Sequence, residues 1–121
     1  MELVHEIRRE PEYLVVAVAG RYEFHALVEV IALIRPECER QQVFKTLLDL
    51  SRMENYSKGI DRYYHGEEAG RLGGAVKLAV LGKPQQYDDG FGETTAVNLG
   101  AHLRVFTDRD SALGWLLDER T

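Results

Sequence analysis

The segment Asn98-Leu99-Gly100-Ala101-His102-Leu103-Arg104-Val105-Phe106-Thr107-Asp108-Arg109-Asp110-Ser111-Ala112-Leu113-Gly114-Trp115-Leu116 decides the fold. Gly100 is a natural C-terminal cap for a short helix over Glu93 to Leu99, because glycine adopts left-handed backbone without a Cβ clash. Leu103 to Phe106 has the apolar density of a buried strand. Asp108 or Asp110 then caps a helix whose inward face is Ala112, Leu113, Trp115 and Leu116. A helix end, a strand and a capped amphipathic helix in one run are the punctuation of a layered α/β domain.

Working outward, Val4 to Arg9 and Tyr13 to Ala19 are β-prone runs separated by Glu10-Pro11-Glu12, with Pro11 at the second position of a turn. They predict an antiparallel hairpin with the first strand at the sheet edge. The second strand, apolar nearly throughout, is expected inside the sheet with both faces covered. After Gly20, the spacing of Phe24, Leu27, Val28, Ile31 and Ile34 predicts a first helix. Pro36 is expected to stop or kink it at Arg35, leaving Glu37 to Gln42, with Cys38, as a polar tail. Val43 to Leu50 reads as a buried strand with Asp49 near its end. A second helix is expected over Ser57 to Leu72, with Ile60, Tyr64 and Leu72 inward, although three glycines weaken it. Val76 to Leu81 is another buried strand, and Gly82 to Gly92 a polar loop. The order β-β-α-β-α-β-α-β-α predicts an α/β fold: a mixed, mostly parallel sheet with an N-terminal antiparallel strand and helices packed on it.

A length of 121 residues fits one domain spanning 1–121. With 45% hydrophobic and 29% charged residues, the balance is that of a soluble globular protein. The net charge of -5 opposes attraction to phosphate backbones, so no nucleic-acid partner is expected. Cys38 is the only cysteine, which excludes an intrachain disulfide and fits a reducing cytoplasm. Neither a secretion signal nor a membrane span is expected.

The hairpin, the helix after Gly20, the strand ending Leu48-Asp49-Leu50, the strand Lys77-Leu78-Ala79-Val80-Leu81 and the terminal Arg104-Val105-Phe106 with Ala112 to Leu116 follow one another in a familiar order. Over nearly its whole length the chain resembles the SpoIIAA-like family, related to STAS domains (sulfate transporter and anti-sigma factor antagonist). The resemblance implies a four- or five-stranded sheet with helices and a role in binding rather than catalysis. In regulators of the antagonist type it further implies a partner kinase and a switch: phosphorylation of a serine within Asp-Ser-Ser/Thr-Gly at the start of the second helix. Here the corresponding segment is Tyr56-Ser57-Lys58-Gly59. Ser57 and Gly59 match the spacing, Tyr56 replaces the acid and Lys58 replaces the second hydroxyl residue. Phosphate at a helix N-terminus is favoured by free amides and the helix dipole, but a plain serine N-cap accounts for the residue, and phosphorylation is not expected.

Little catalytic equipment is visible. No two of His5, His25, His65 and His102 have the separation that would join them on one helix, so no metal site is expected. His65-Gly66-Glu67-Glu68 reads as a solvated helix face, and His25 as a surface or capping residue. None of Ser51, Ser57, Ser111 and Cys38 lies in a nucleophile turn, so no catalytic residue is assigned and the protein is expected not to be an enzyme. Gly90-Phe91-Gly92-Glu93-Thr94 lacks the third glycine of the dinucleotide fingerprint and the Walker ending, so no cofactor is expected. Two functional expectations follow. The first is a protein partner engaged through Tyr56, Ser57, Lys58, Gly59 and the second-helix surface. The alternative is a small apolar, lipid-like ligand held in a pocket between the second helix and the 82–92 loop, formed by Ile60, Tyr63, Tyr64, Tyr87 and Phe91 and resembling the pockets of CRAL-TRIO domains. An acidic domain with an edge strand is also able to form a homodimer.

Overall fold

The computed structural model describes residues 2–56, 60–84 and 93–121. Its elements run β1 (Val4–Arg9), β2 (Leu14–Arg21), α1 (Phe24–Gln41), β3 (Lys45–Glu54), α2 (Ile60–Gly70), a 3-10 turn (Gly73–Ala75), β4 (Lys77–Leu81), α3 (Glu93–Asn98), β5 (His102–Phe106) and α4 (Arg109–Leu116). The five strands lie side by side in chain order, β1 antiparallel to β2 and every later neighbour parallel. This is the predicted mixed sheet, with the hairpin strand at its edge. No helix among the described residues is long and apolar enough to cross a membrane.

Strand alternation sorts the side chains into two layers. Leu14, Val16 and Val18 of β2, Leu48 and Leu50 of β3, and Leu78 and Val80 of β4 meet the buried faces of α1, α2 and α3. Leu47, Ala79 and Leu81 point the other way, onto Ala112 and Leu116 of α4. Asp108 caps α4, accepting from the Ser111 backbone N–H at 2.8 Å. Both ends of that short helix are tied to the sheet. At its start Arg109 Nη2 donates to Asp49 Oδ2 at 2.6 Å. At its end buried Lys77 donates to the carbonyls of Trp115 and Asp118, 2.7 and 2.8 Å away, and stacks over the Trp115 ring. A lysine on β4 thus occupies the orphan carbonyls of the last turn.

Two expectations are corrected. The first helix does not stop at Arg35 but continues through Pro36 to Gln41, where Gln42 in the left-handed conformation closes it. Pro36 is exposed, while Cys38 extends the apolar stripe one turn beyond Ile34 and packs with no exposed surface beside Thr46. Burial of that last turn outweighs the missing hydrogen bond of the proline. The second helix is rotated from the expected phase. Leu72, just past its end, is buried, but Ile60 and Tyr64 are 64% and 45% exposed, and Arg62, His65, Gly66, Ala69 and Gly70 face inward.

Small residues set that rotation, because they let α2 lie close against α3. A Cβ built at Gly70 falls 2.8 Å from Leu99 Cβ, closer than side-chain carbons approach. At Gly114 of α4, by contrast, a Cβ meets nothing within 4 Å. The two glycines therefore respond oppositely to alanine. Gly114→Ala raises stability by about 0.5–1 kcal/mol through helix propensity. In Gly70→Ala the overpacking exceeds the same gain and leaves a net loss of about 1 kcal/mol. Urea unfolding of the two variants beside the wild type checks both signs.

Candidate functional site

Where β2 and β3 run out, the Tyr22 backbone N–H donates to the Glu54 carbonyl at 2.7 Å and holds the two strand ends together. Two tyrosines follow, and their rings, Tyr22 and Tyr56, meet with centroids 4.8 Å apart. The inward face of α2 then lowers Asp61, Arg62 and His65 onto them. His65 has no exposed surface. Its Nδ1 lies 2.8 Å from Tyr56 Oη, its Nε2 3.4 Å from Tyr22 Oη, and its ring 5.1 Å from that of Phe24 at the start of α1. Tyr22 donates in turn to Asp61 Oδ2 at 2.9 Å. The guanidinium of Arg62, itself buried, sits 5.4 Å from the Tyr56 ring centroid in cation–π geometry.

Burial dominates the electrostatics of this cluster. It depresses the pKa of His65 to about 4, although a backbone hydrogen bond with Phe24 and the charge of Asp61 both favour the imidazolium. His65 is therefore neutral at pH 7. Burial, reinforced by the hydrogen bond to Asp61 and its negative charge, pushes the Tyr22 hydroxyl above the ordinary tyrosine range. Neither Tyr22 nor His65 is left poised for acid–base work near neutrality. The arrangement acts as a tether: it ties the N-terminal half of α2 to the ends of two central strands and to the first turn of α1.

The outer face of α2 is the other half of the site. Ile60, Tyr63 and Tyr64, at spacings of three and four, stand 64%, 46% and 45% exposed, with the two tyrosine rings 5.4 Å apart. Tyr56 belongs to the buried cluster beneath them. Ser57, Lys58 and Gly59 lie outside the described residues, as do Tyr87 and Phe91 of the pocket expectation. Of the residues expected from sequence, Tyr56 thus sits under α2 and Ile60, Tyr63 and Tyr64 on its surface. The reading of His65 as part of a solvated face is overturned by its complete burial. No group of three or more His, Cys, Asp or Glu placed to hold a metal is found among the described residues.

Sequence reasoning missed Tyr22, Asp61, Arg62 and His65. A signal was present. Arg62, His65, Gly66, Ala69 and Gly70 share one helical face, and three small residues on that face mark it as the side of close approach. The side chains that share it are then interior, charged or not.

No protein-family model matches this chain, and no curated protein matches it in sequence. Solved structures do match. An anti-sigma factor antagonist from Mycobacterium paratuberculosis is similar over 97% of this chain and 96% of its own, with TM-score 0.69 and 16% identity. An uncharacterised protein with a SpoIIAA-like fold from Shewanella loihica matches 94% of this chain and 93% of its own, at TM-score 0.55 and 18% identity. The Bacillus cell fate determinant SpoIIAA in its phosphorylated form matches 93% and 98%, at TM-score 0.53 and 16% identity. At such identities the likeness is one of architecture. The chain has the SpoIIAA-like fold, as the order of its strands and helices in the sequence implied.

The buried imidazole has a consequence for stability. On acidification the unfolded chain takes up a proton at His65 below its ordinary pKa of 6.5, whereas the folded chain resists doing so until about 4. Stability is therefore full above pH 6.5, falls between 6.5 and 4, and loses nothing more from this group below that. The contribution is at most about 3 kcal/mol. In His65→Gln, which is less stable at pH 7, this part of the pH dependence is absent. Urea unfolding of both proteins from pH 7 to pH 4 measures the convergence of their stabilities.

Proposed function

We propose that this domain is a non-enzymatic regulatory module that binds a protein partner through the outer face of α2 and the segment before it, Tyr56, Ser57, Lys58 and Gly59. One observation carries the reading. Ile60, Tyr63 and Tyr64 form an exposed apolar row on a helix whose opposite face is tethered by buried polar groups. Large aromatic and aliphatic side chains held on a rigid helix supply the anchors of protein interfaces, since little side-chain freedom is left to lose on binding.

The similar structures support the class. One is an anti-sigma factor antagonist and another is SpoIIAA captured in its phosphorylated form. Because Tyr56 and Lys58 depart from the Asp-Ser-Ser/Thr-Gly motif, the unmodified surface is taken as the contact and no phosphate on Ser57 is required. The unpaired, buried Cys38 fits action in the reducing cytoplasm.

Affinity capture from the native host with the wild-type domain, a Tyr63→Ala/Tyr64→Ala double variant and a Leu33→Ala control on α1 tests this surface. The wild type and the control should retain the same partner, and the double variant should bind it roughly 30-fold more weakly, the loss of about 2 kcal/mol expected of an interface anchor. Equal retention by all three proteins sinks the reading. A small apolar molecule seen by native mass spectrometry on the wild type and absent from the double variant would instead favour the ligand-binding alternative.

A further inference from the structure

β1 is an edge strand, paired with β2 alone. Its hairpin is closed by the Glu10 backbone N–H donating to the Tyr13 carbonyl at 2.8 Å, which makes Glu10 and Tyr13 a hydrogen-bonded pair. Along an antiparallel ladder such pairs alternate with non-hydrogen-bonded ones. The register sets Arg9 against Leu14, Arg8 against Val15, Ile7 against Val16, Glu6 against Ala17 and His5 against Val18. Arg8 and Glu6 therefore turn their backbone groups toward β2, and Arg9, Ile7 and His5 turn theirs to the open edge.

Protein sheets blunt such edges with prolines, bulges, charged residues or covering side chains. The far edge of this sheet is treated so: Glu93 of α3 accepts from the Val105 backbone N–H of β5 at 3.1 Å. β1 contains no proline, and no bulge interrupts its ladder with β2. Its charged residues are of both signs: Glu6 and Arg8 stand on one face, two residues apart, and Arg9 stands on the other.

We infer that this edge pairs with a second copy of itself, β1 against β1 in antiparallel sense with Ile7 on the two-fold axis, joining the two five-stranded sheets into one. Ile7 then faces Ile7 of the second copy, and His5 faces Arg9. All three residues offer outward backbone groups, so the junction forms about six backbone hydrogen bonds. Between these pairs, in the closer non-hydrogen-bonded positions, Glu6 of each copy stands opposite Arg8 of the other. Neighbouring registers lack this match. Centring on Glu6 opposes two carboxylates and centring on Arg8 opposes two guanidiniums, both unfavourable for residues directly across a ladder. The charges are available: Glu6 is exposed with no ion-pair partner among the described residues, and half-exposed Arg8 reaches only Glu10, at 3.6 Å. This inference does not rest on the partner surface of α2. β1 packs on β2 while α2 packs on α1 and α3, so a dimer built this way carries two copies of that surface.

Position 7 offers a direct test. Across a hydrogen-bonded pair the Cα atoms are about 5.5 Å apart, within disulfide range. Cys38 has no exposed surface whereas position 7 is only partly buried against the core, so a cysteine placed there is the more accessible thiol. Mild oxidation of the full chain should convert Ile7→Cys to a covalent dimer and leave Val4→Cys and Glu6→Cys monomeric. In sedimentation equilibrium over about two decades of concentration, the wild type should dimerise by mass action. Glu6→Lys should weaken the dimer about tenfold by setting Lys against Arg, and Glu6→Lys/Arg8→Glu should restore it. A wild type that stays monomeric, a dimer indifferent to Glu6→Lys, or cross-linking at Glu6→Cys in place of Ile7→Cys overturns the proposal.

Discussion

The close approach of α2 to α3 is the constraint on which the functional surface depends. Gly66, Ala69 and Gly70 face inward on α2, and at Gly70 the backbone lies so near Leu99 that a single added carbon has no room. A helix of fixed pitch has one rotational degree of freedom, and this contact sets it. Once the small residues are inside, Arg62 and His65 must be inside as well, seven and four residues before Ala69 on the same face. Ile60, Tyr63 and Tyr64 must then be outside. Exposure of three large apolar side chains is a consequence of packing elsewhere on the helix.

Burying a histidine and an arginine is costly unless their polar atoms are satisfied. Tyr22, Tyr56, Asp61 and the backbone of Phe24 meet that need for His65, directly or through the chain of hydrogen bonds. The cluster draws on β2, β3, α1 and α2 at once, so it couples the orientation of α2 to the ends of the central strands. A domain that presents α2 to a partner gains from this, because a tethered helix loses little freedom on binding. On the other side of the sheet, Arg109 with Asp49 and Lys77 with the last carbonyls of α4 hold an eight-residue helix that is too short to be stable alone.

Much of the fold was legible along the chain. Strands appear as short apolar runs, the hairpin by its proline turn, and the last helix by Asp108. Legibility fails at two kinds of place. At Pro36 a strong local rule loses to burial of Cys38 two residues later. In α2 the hydrophobic residues misled, because the usual assumption that large apolar side chains point inward gives the wrong phase when small residues control the packing. The site follows that error: Tyr56 and the exposed row were in view from the start, whereas Tyr22, Asp61, Arg62 and His65 were not. Those four come from a strand end and from the buried face of a helix, and no spacing rule links them.

What the sequence determined by itself is the order of elements, the parallel crossovers and the edge position of β1, since hydrophobic periodicity, turn residues and the handedness of connections act locally along the chain. It also carries the opposite charges of Glu6 and Arg8. Tertiary structure alone decided which way α2 faces, that His65 is neutral and buried, that α1 runs through its proline, and which backbone groups of β1 face the open edge. Each of these depends on contacts or pairings between segments far apart in the chain. Their energies belong to the assembled layers and not to any stretch of residues read in isolation.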